Sequence, residues 1–169
     1  CQTSALSDYR VQFPPESLAS LQRLQLEGRG YPVQVDNEFM SQSGACGLAV
    51  DIGTTKVAAF LMDLHNGETL ASGGVTNPQI AYGEDVISRI QYAGHHDQGA
   101  KELQRILVEA INALLIGLCK QAKVGQEQVV DSVMVGNTAM HHLLTGIPTH
   151  SLGVAPYNPG QLDPMAIPA

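Results

Sequence analysis

The stretch Gly47-Leu48-Ala49-Val50-Asp51-Ile52-Gly53-Thr54-Thr55-Lys56-Val57-Ala58-Ala59-Phe60 limits the fold more than any other part of this chain. It reads as an apolar strand ending in a carboxylate, a turn through one glycine and two hydroxyl residues, and a second apolar strand. In the first strand Leu48, Val50 and Ile52 share one face, while Ala49 and Asp51 share the other. Residues 56–64 are apolar on both faces, the pattern of a central, covered strand. His65-Asn66-Gly67-Glu68 then supplies an Asn-Gly hairpin turn, and Thr69–Thr76 is the expected returning strand.

The chemistry of the first turn suits a phosphate chain. Gly53 lets the backbone come close, and the hydroxyls of Thr54 and Thr55, with nearby N–H groups, can donate to phosphate oxygens. Asp51 can hold a magnesium ion or its water, and Lys56 can offset negative charge. The turn lacks the longer glycine-spaced loop, with Lys-Ser/Thr opening a helix, of a Walker-type site. The competing reading is an ordinary hairpin with Asp51 as a solvated strand end.

At 169 residues and 44% hydrophobic composition, the chain has room for one globular domain with a small appendage. A net charge of −7 argues against a general nucleic-acid surface, and no apolar run is long enough to span a membrane. A cytoplasmic protein without nucleic-acid or membrane partners is expected. Cys1, Cys46 and Cys119 are too scattered for a zinc or iron–sulfur ligand set. Starting at Cys1 and ending in a proline-rich tail, the chain is expected to be a piece of something larger.

Residues 1–44 are expected to close a preceding linker or middle domain. Pro14-Pro15-Glu16 opens a short helix carrying Leu18, Leu21 and Leu24, Gly28 and Gly30 end it, a strand follows over 31–35, and 41–44 is a linker. The main domain is expected over 45–147. After the break at Asn77-Pro78-Gln79, residues 84–93 read as a helix with Val86, Ile87 and Ile90 on one face, stopped by Gly94 and His95-His96. Asp97 is the expected N-cap of a long helix to about Gln121, where Leu103, Ile106, Leu107, Ala110, Ile111, Leu114, Leu115 and Leu118 form a core stripe.

Residues 131–136 read as a short buried strand, followed by a helix over 137–144. Gly136-Asn137-Thr138 at that junction can aim helix N-terminal N–H groups at an anion, and ordinary capping by Asn137 or Thr138 explains the same residues. From Pro148 the chain is expected to be an irregular tail, 148–169. His95-His96 and His141-His142 are poor metal chelates, because adjacent helical residues point about 100° apart.

Three antiparallel strands, helices, and a strand joining the first in parallel make an α/β, ribonuclease-H-like mixed sheet flanked by helices, with a small N-terminal α+β appendage. With the Asp51–Thr55 turn, this order resembles the first half of the ATPase domain shared by actin, sugar kinases and heat-shock chaperones. Three blocks narrow the likeness: Ala49 through Ala58, Asn77-Pro78-Gln79-Ile80-Ala81-Tyr82-Gly83-Glu84-Asp85-Val86-Ile87-Ser88-Arg89-Ile90, and Gly136 through Leu144. Together with Leu152-Gly153-Val154-Ala155-Pro156-Tyr157, they resemble the reductive activators of corrinoid proteins.

That resemblance implies part of an ATP-dependent redox protein returning cobalt(II) corrinoid to cobalt(I), with a corrinoid protein of methyl-transfer metabolism as partner. Asp51 would serve magnesium and the attacking water; Gly53, Thr54 and Thr55, with Lys56 as a lesser contributor, would hold the phosphates of ATP. Gly136, Asn137 and Thr138 would line the same cleft. The family's [2Fe-2S] cluster would sit in an N-terminal domain that this cysteine set cannot supply. The resemblance also implies a second phosphate loop and an adenosine segment in another half of the domain, so the chain by itself is expected to bind ATP weakly and hydrolyse it negligibly. Asn77, Gln79, Glu84, Asp85 and Arg89 are the partner-facing candidates, although helix-dipole stabilisation explains Glu84 and Asp85, and an i,i+4 ion pair with Asp85 explains Arg89. A small-molecule kinase of the same superfamily and a non-catalytic docking module are the alternatives.

Overall fold

The computed structural model describes residues 43–167. In chain order these form β1 (Cys46–Ile52), β2 (Lys56–Asp63), β3 (Thr69–Thr76), a 3-10 turn (Pro78–Tyr82), α1 (Val86–His95) and α2 (Gly99–Ala122). A second 3-10 turn (Gln126–Gln128), β4 (Val129–Gly136), α3 (Thr138–Thr145) and α4 (His150–Gly153) follow. The helix expected after Pro14, the strand expected over 31–35 and Cys1 lie outside the described residues.

The sheet order is β3-β2-β1-β4, with β1, β2 and β3 antiparallel and β4 parallel to β1, as the strand pattern predicts. The Asn-Gly turn joins β2 to β3, with Gly67 at φ 73° and Asn66 Oδ1 accepting from the Glu68 N–H at 2.7 Å. Register pairs Leu48 with Leu61, Val50 with Ala59 and Ile52 with Val57, so one face of β1 and β2 is continuously apolar and buried.

Against that face lies α2, whose Leu103, Leu107, Ile111 and Leu118 are buried. Its 24 residues span roughly 36 Å at 1.5 Å each, enough to cross the sheet. Ile90 of α1 and Ala139, Met140 and Leu143 of α3 belong to the same cluster. The core therefore sits between the sheet and the helices, below the ends of β1 and β4.

Several local expectations give way to tertiary context. α1 runs through Gly94 to His95; that glycine is exposed, and a mid-helix glycine costs only about 1 kcal/mol against alanine. Within α1 the inward residues are Arg89 and Ile90, while Ile87 stays 51% exposed. Asp97 does not cap α2: the helix starts at Gly99, and the corner is closed by the Gly99 N–H donating to the His96 carbonyl at 2.8 Å.

The strand expected to be buried at 131–136 is exposed along nearly its whole length, with Val133 at 59% and Val135 at 56%. β4 is the sheet edge, and among the described residues only β1 pairs with it. Likewise β2 is fully covered only on its α2 side; Phe60 and Met62 on the other face are partly exposed. The tail carries the short α4, and Thr149 before it is buried.

Candidate functional site

Parallel pairing sets Asp51 beside Val135 and Ile52 beside Gly136, so the carboxyl ends of β1 and β4 finish together. The 53–55 turn and the first turn of α3 leave the sheet side by side, the place where open α/β sheets form ligand crevices. One glycine lets the turn close tightly, and a second permits the approach of the two segments. A Cβ on Gly53 would stand 2.5 Å from the Lys56 carbonyl oxygen. One on Gly136 would stand 3.0 Å from the Ile52 oxygen and 3.2 Å from Met140 Cβ.

Asn137 joins the two segments. Its Oδ1 accepts the Met140 N–H at 3.0 Å, capping α3, while its Nδ2 donates to Thr54 Oγ1 at 3.1 Å. Capping is thus real, and the same side chain also reaches across to the glycine–threonine turn. With Thr54 Oγ1 accepting from Asn137, its own O–H remains able to donate elsewhere. Asp51, Thr55 and Thr138 are exposed; Gly53, Thr54 and Lys56 are half-buried.

The turn is held from beneath by residues that the sequence places in a different role. Asn77, Gln79 and Arg89, expected to face a partner, are fully buried. Asn77 Nδ2 donates to the Gly53 carbonyl at 2.8 Å, Arg89 Nη2 to the Thr54 carbonyl at 2.6 Å, and the Asn77 N–H to the Thr55 carbonyl at 2.9 Å. Gln79 Oε1 accepts from Arg89 Nη1 at 3.4 Å, and Gln79 Nε2 donates to the Leu103 carbonyl at 3.0 Å. Arg89 Nε donates to the Gly83 carbonyl at 2.8 Å.

The ion pair expected between Asp85 and Arg89 is not made. Asp85 Oδ1 instead caps α1 by accepting the Ser88 N–H at 2.7 Å, and that bond holds its carboxyl below the usual range. Burial lowers the Arg89 pKa, yet a guanidinium stays charged at any pH the fold survives. Val86, Arg89, Ile90 and Ala93 follow the i, i+3, i+4, i+7 spacing, so Arg89 lies within an apolar stripe, which is the sequence signal for its burial. Of the five partner-facing candidates, Glu84 and Asp85 remain exposed.

Nearby, Tyr92 and Tyr82 donate to the two oxygens of Glu102 at 2.7 and 3.0 Å, tying α1 and the 3-10 turn to α2. These bonds lower the Glu102 pKa, and the Glu102 bond pushes Tyr92 up to about 12. Buried His142 has both ring nitrogens engaged: Nδ1 donates to the Thr138 carbonyl at 2.8 Å and Nε2 accepts the Gly160 N–H at 3.0 Å. Neither nitrogen is left for a metal.

An exposed carboxylate at a strand end, beside N–H and hydroxyl donors, fits magnesium, which is commonly held by one or two carboxylates, water and substrate phosphates. Asp51 is the residue that would hold it. Iron–sulfur ligation does not fit: Cys46 and Cys119 are free thiols in the core, and burial raises both pKa values away from the thiolate a cluster needs.

Three comparisons bear on this arrangement. The family described as the RACo middle region matches residues 46–169. Corrinoid activation enzyme RamQ of Eubacterium limosum is 36% identical over 111 residues, which cover 66% of this chain and 19% of the enzyme. The solved structure of a reductive activator for corrinoid, iron–sulfur protein superposes with a TM-score of 0.68 at 40% identity, covering 69% of this chain and 18% of that one. The chain thus spans less than a fifth of the length of either relative. Both names describe corrinoid activation, so neither the kinase nor the docking alternative is favoured.

Proposed function

This chain belongs to the RACo middle-region family, and from that premise we propose that it forms the phosphate- and magnesium-holding part of an ATP-dependent reductive activator of a corrinoid protein. The observation that carries the reading is the Asn137–Thr54 bond of 3.1 Å, which couples a glycine–threonine turn to a helix N-terminus at the ends of two parallel strands. Both elements are suited to an anion.

In this reading the N–H groups and hydroxyls of Thr54 and Thr55 bind the phosphate oxygens of ATP, and the start of α3 adds its dipole. Asp51 would hold magnesium and orient the water that attacks the terminal phosphorus, with ADP leaving; Lys56 would offset negative charge. Magnesium, when bound, neutralises charge developing on the phosphate oxygens. The electron that would convert cobalt(II) to cobalt(I) would be supplied by an iron–sulfur group, which the buried free thiols Cys46 and Cys119 are not suited to hold. Nucleotide binding favours one geometry between activator and corrinoid protein, which requires unequal affinity for two states.

The test follows cobalt(I) formation by visible absorption, using the full polypeptide that carries this sequence, its reductant and a cobalt(II) corrinoid protein. Asp51→Ala is expected to abolish the ATP-dependent part and leave iron–sulfur reduction intact. Undiminished ATP-dependent cobalt(I) formation in that variant would refute the assignment.

A further inference from the structure

Three consecutive carbonyls of the turn, those of Gly53, Thr54 and Thr55, all accept hydrogen bonds from buried donors of Asn77 and Arg89. In a planar trans peptide the carbonyl and the N–H of the following residue point in opposite directions. A carbonyl turned inward at Gly53 and at Thr54 therefore turns the Thr54 and Thr55 N–H groups outward. Among the described residues, neither of those N–H groups donates to a protein acceptor.

Arg89 adds charge to this geometry. Its guanidinium is fully buried and is hydrogen-bonded to the carbonyls of Gly83 and Thr54, to Gln79 Oε1, and at 3.6 Å to Met140 Sδ. No carboxylate pairs with it among the described residues, and Asp85 is occupied in capping α1. Asp85 attracts the guanidinium only from beyond ion-pair distance, so burial of the charge remains costly, and an anion bound on the far side of the turn would offset that cost. The Arg89 bond also polarises the Thr54–Thr55 peptide, strengthening its N–H as a donor.

The geometry points to Arg89, with Asn77 and Gln79, as a buried cradle that positions the Gly53–Thr55 turn so that its N–H groups face phosphate, the bound polyphosphate being the counter-charge of Arg89. This rests on the phosphate-binding reading above. Arg89 is a positioning residue, one peptide away from the ligand, and its influence should scale with the ligand's charge.

The test uses the full polypeptide that carries this sequence, isotope-labelled at threonine, with inorganic orthophosphate and tripolyphosphate as probes, read by amide resonances and titration. In the wild type, tripolyphosphate should shift the Thr54 and Thr55 N–H signals. Arg89→Gln should weaken tripolyphosphate binding about ten- to thirtyfold, taking a charge roughly 8 Å away at an effective dielectric of about 20–30. Its effect on orthophosphate should be smaller, and Arg89→Lys should restore the dependence on probe charge. A purely structural role would lower affinity for both probes alike and gain nothing from lysine.

Should the glutamine variant fail to fold, the wild-type amide shifts still decide: unmoved Thr54 and Thr55 signals in the presence of bound tripolyphosphate overturn the cradle. If Thr54→Val loses tripolyphosphate while Arg89→Gln keeps wild-type affinity, the cradle fails and the phosphate site stands. If the wild type binds neither probe, the cradle falls, and the phosphate reading is decided separately by the Asp51→Ala assay of ATP-dependent cobalt(I) formation.

Discussion

An Asn137→Asp substitution separates what this side chain does for the helix from what it does for the site. Asp and Asn are nearly equivalent N-caps, so the Met140 N–H keeps its acceptor. The lost Nδ2 donor can be replaced by reversal of the Thr54 hydroxyl, which then donates to the new carboxylate. Stability to denaturant should therefore change by less than about 1 kcal/mol. A phosphate charge about 6 Å from that carboxylate, at an effective dielectric between about 20 and 60, is repelled by roughly 1 to 3 kcal/mol. Tripolyphosphate binding by titration calorimetry should accordingly weaken about five- to a hundredfold, and less so as salt rises. Asn137→Ala is the contrasting variant: it loses the cap, costing about 1 kcal/mol of stability, and adds no charge. If Asp weakens anion binding no more than Ala does, no phosphate lies at the start of α3 and the site is misassigned.

Other expectations concern the scaffold. Leu107 is fully buried between α2 and the sheet, so Leu107→Ala should cost about 2 to 5 kcal/mol in chemical denaturation; a loss under about 1 kcal/mol would mean α2 does not pack as described. Glu102 has a lowered folded pKa, so its contribution is complete above the ordinary glutamate range near about 4.3 and is lost as pH falls through the lowered value. Glu102→Gln should therefore reduce stability at neutral pH and flatten its decline in acid, and an unchanged acid limb would contradict the paired-tyrosine bonding. The exposed apolar edge of β4 should promote self-association of the 169-residue chain, which Val133→Lys should suppress in sedimentation experiments.

Much of this architecture follows from short-range rules. The Asn66-Gly67 turn, the β1–β2 alternation and the α2 stripe depend on neighbours a few residues apart, so the sequence alone determined the three-strand meander and the long helix. The Asp51–Thr55 turn and the Asn137 cap were legible for the same reason, since glycine, hydroxyl and cap residues declare their local geometry. Arg89 was not. A charged residue beside Asp85 reads as a surface ion pair, and only the packing of α1 over the 77–83 segment turns the guanidinium towards the Thr54 carbonyl. Asn77, next to a proline, reads as a chain break until the 53–55 turn and Met140 of α3 close over it. β4 shows the converse: its apolar residues predict burial, but burial belongs to whatever lies against a surface, and in the described residues β1 covers one edge alone. Periodicity and turn chemistry are properties of the local chain; the direction a buried charge faces is decided by the surfaces the fold brings around it.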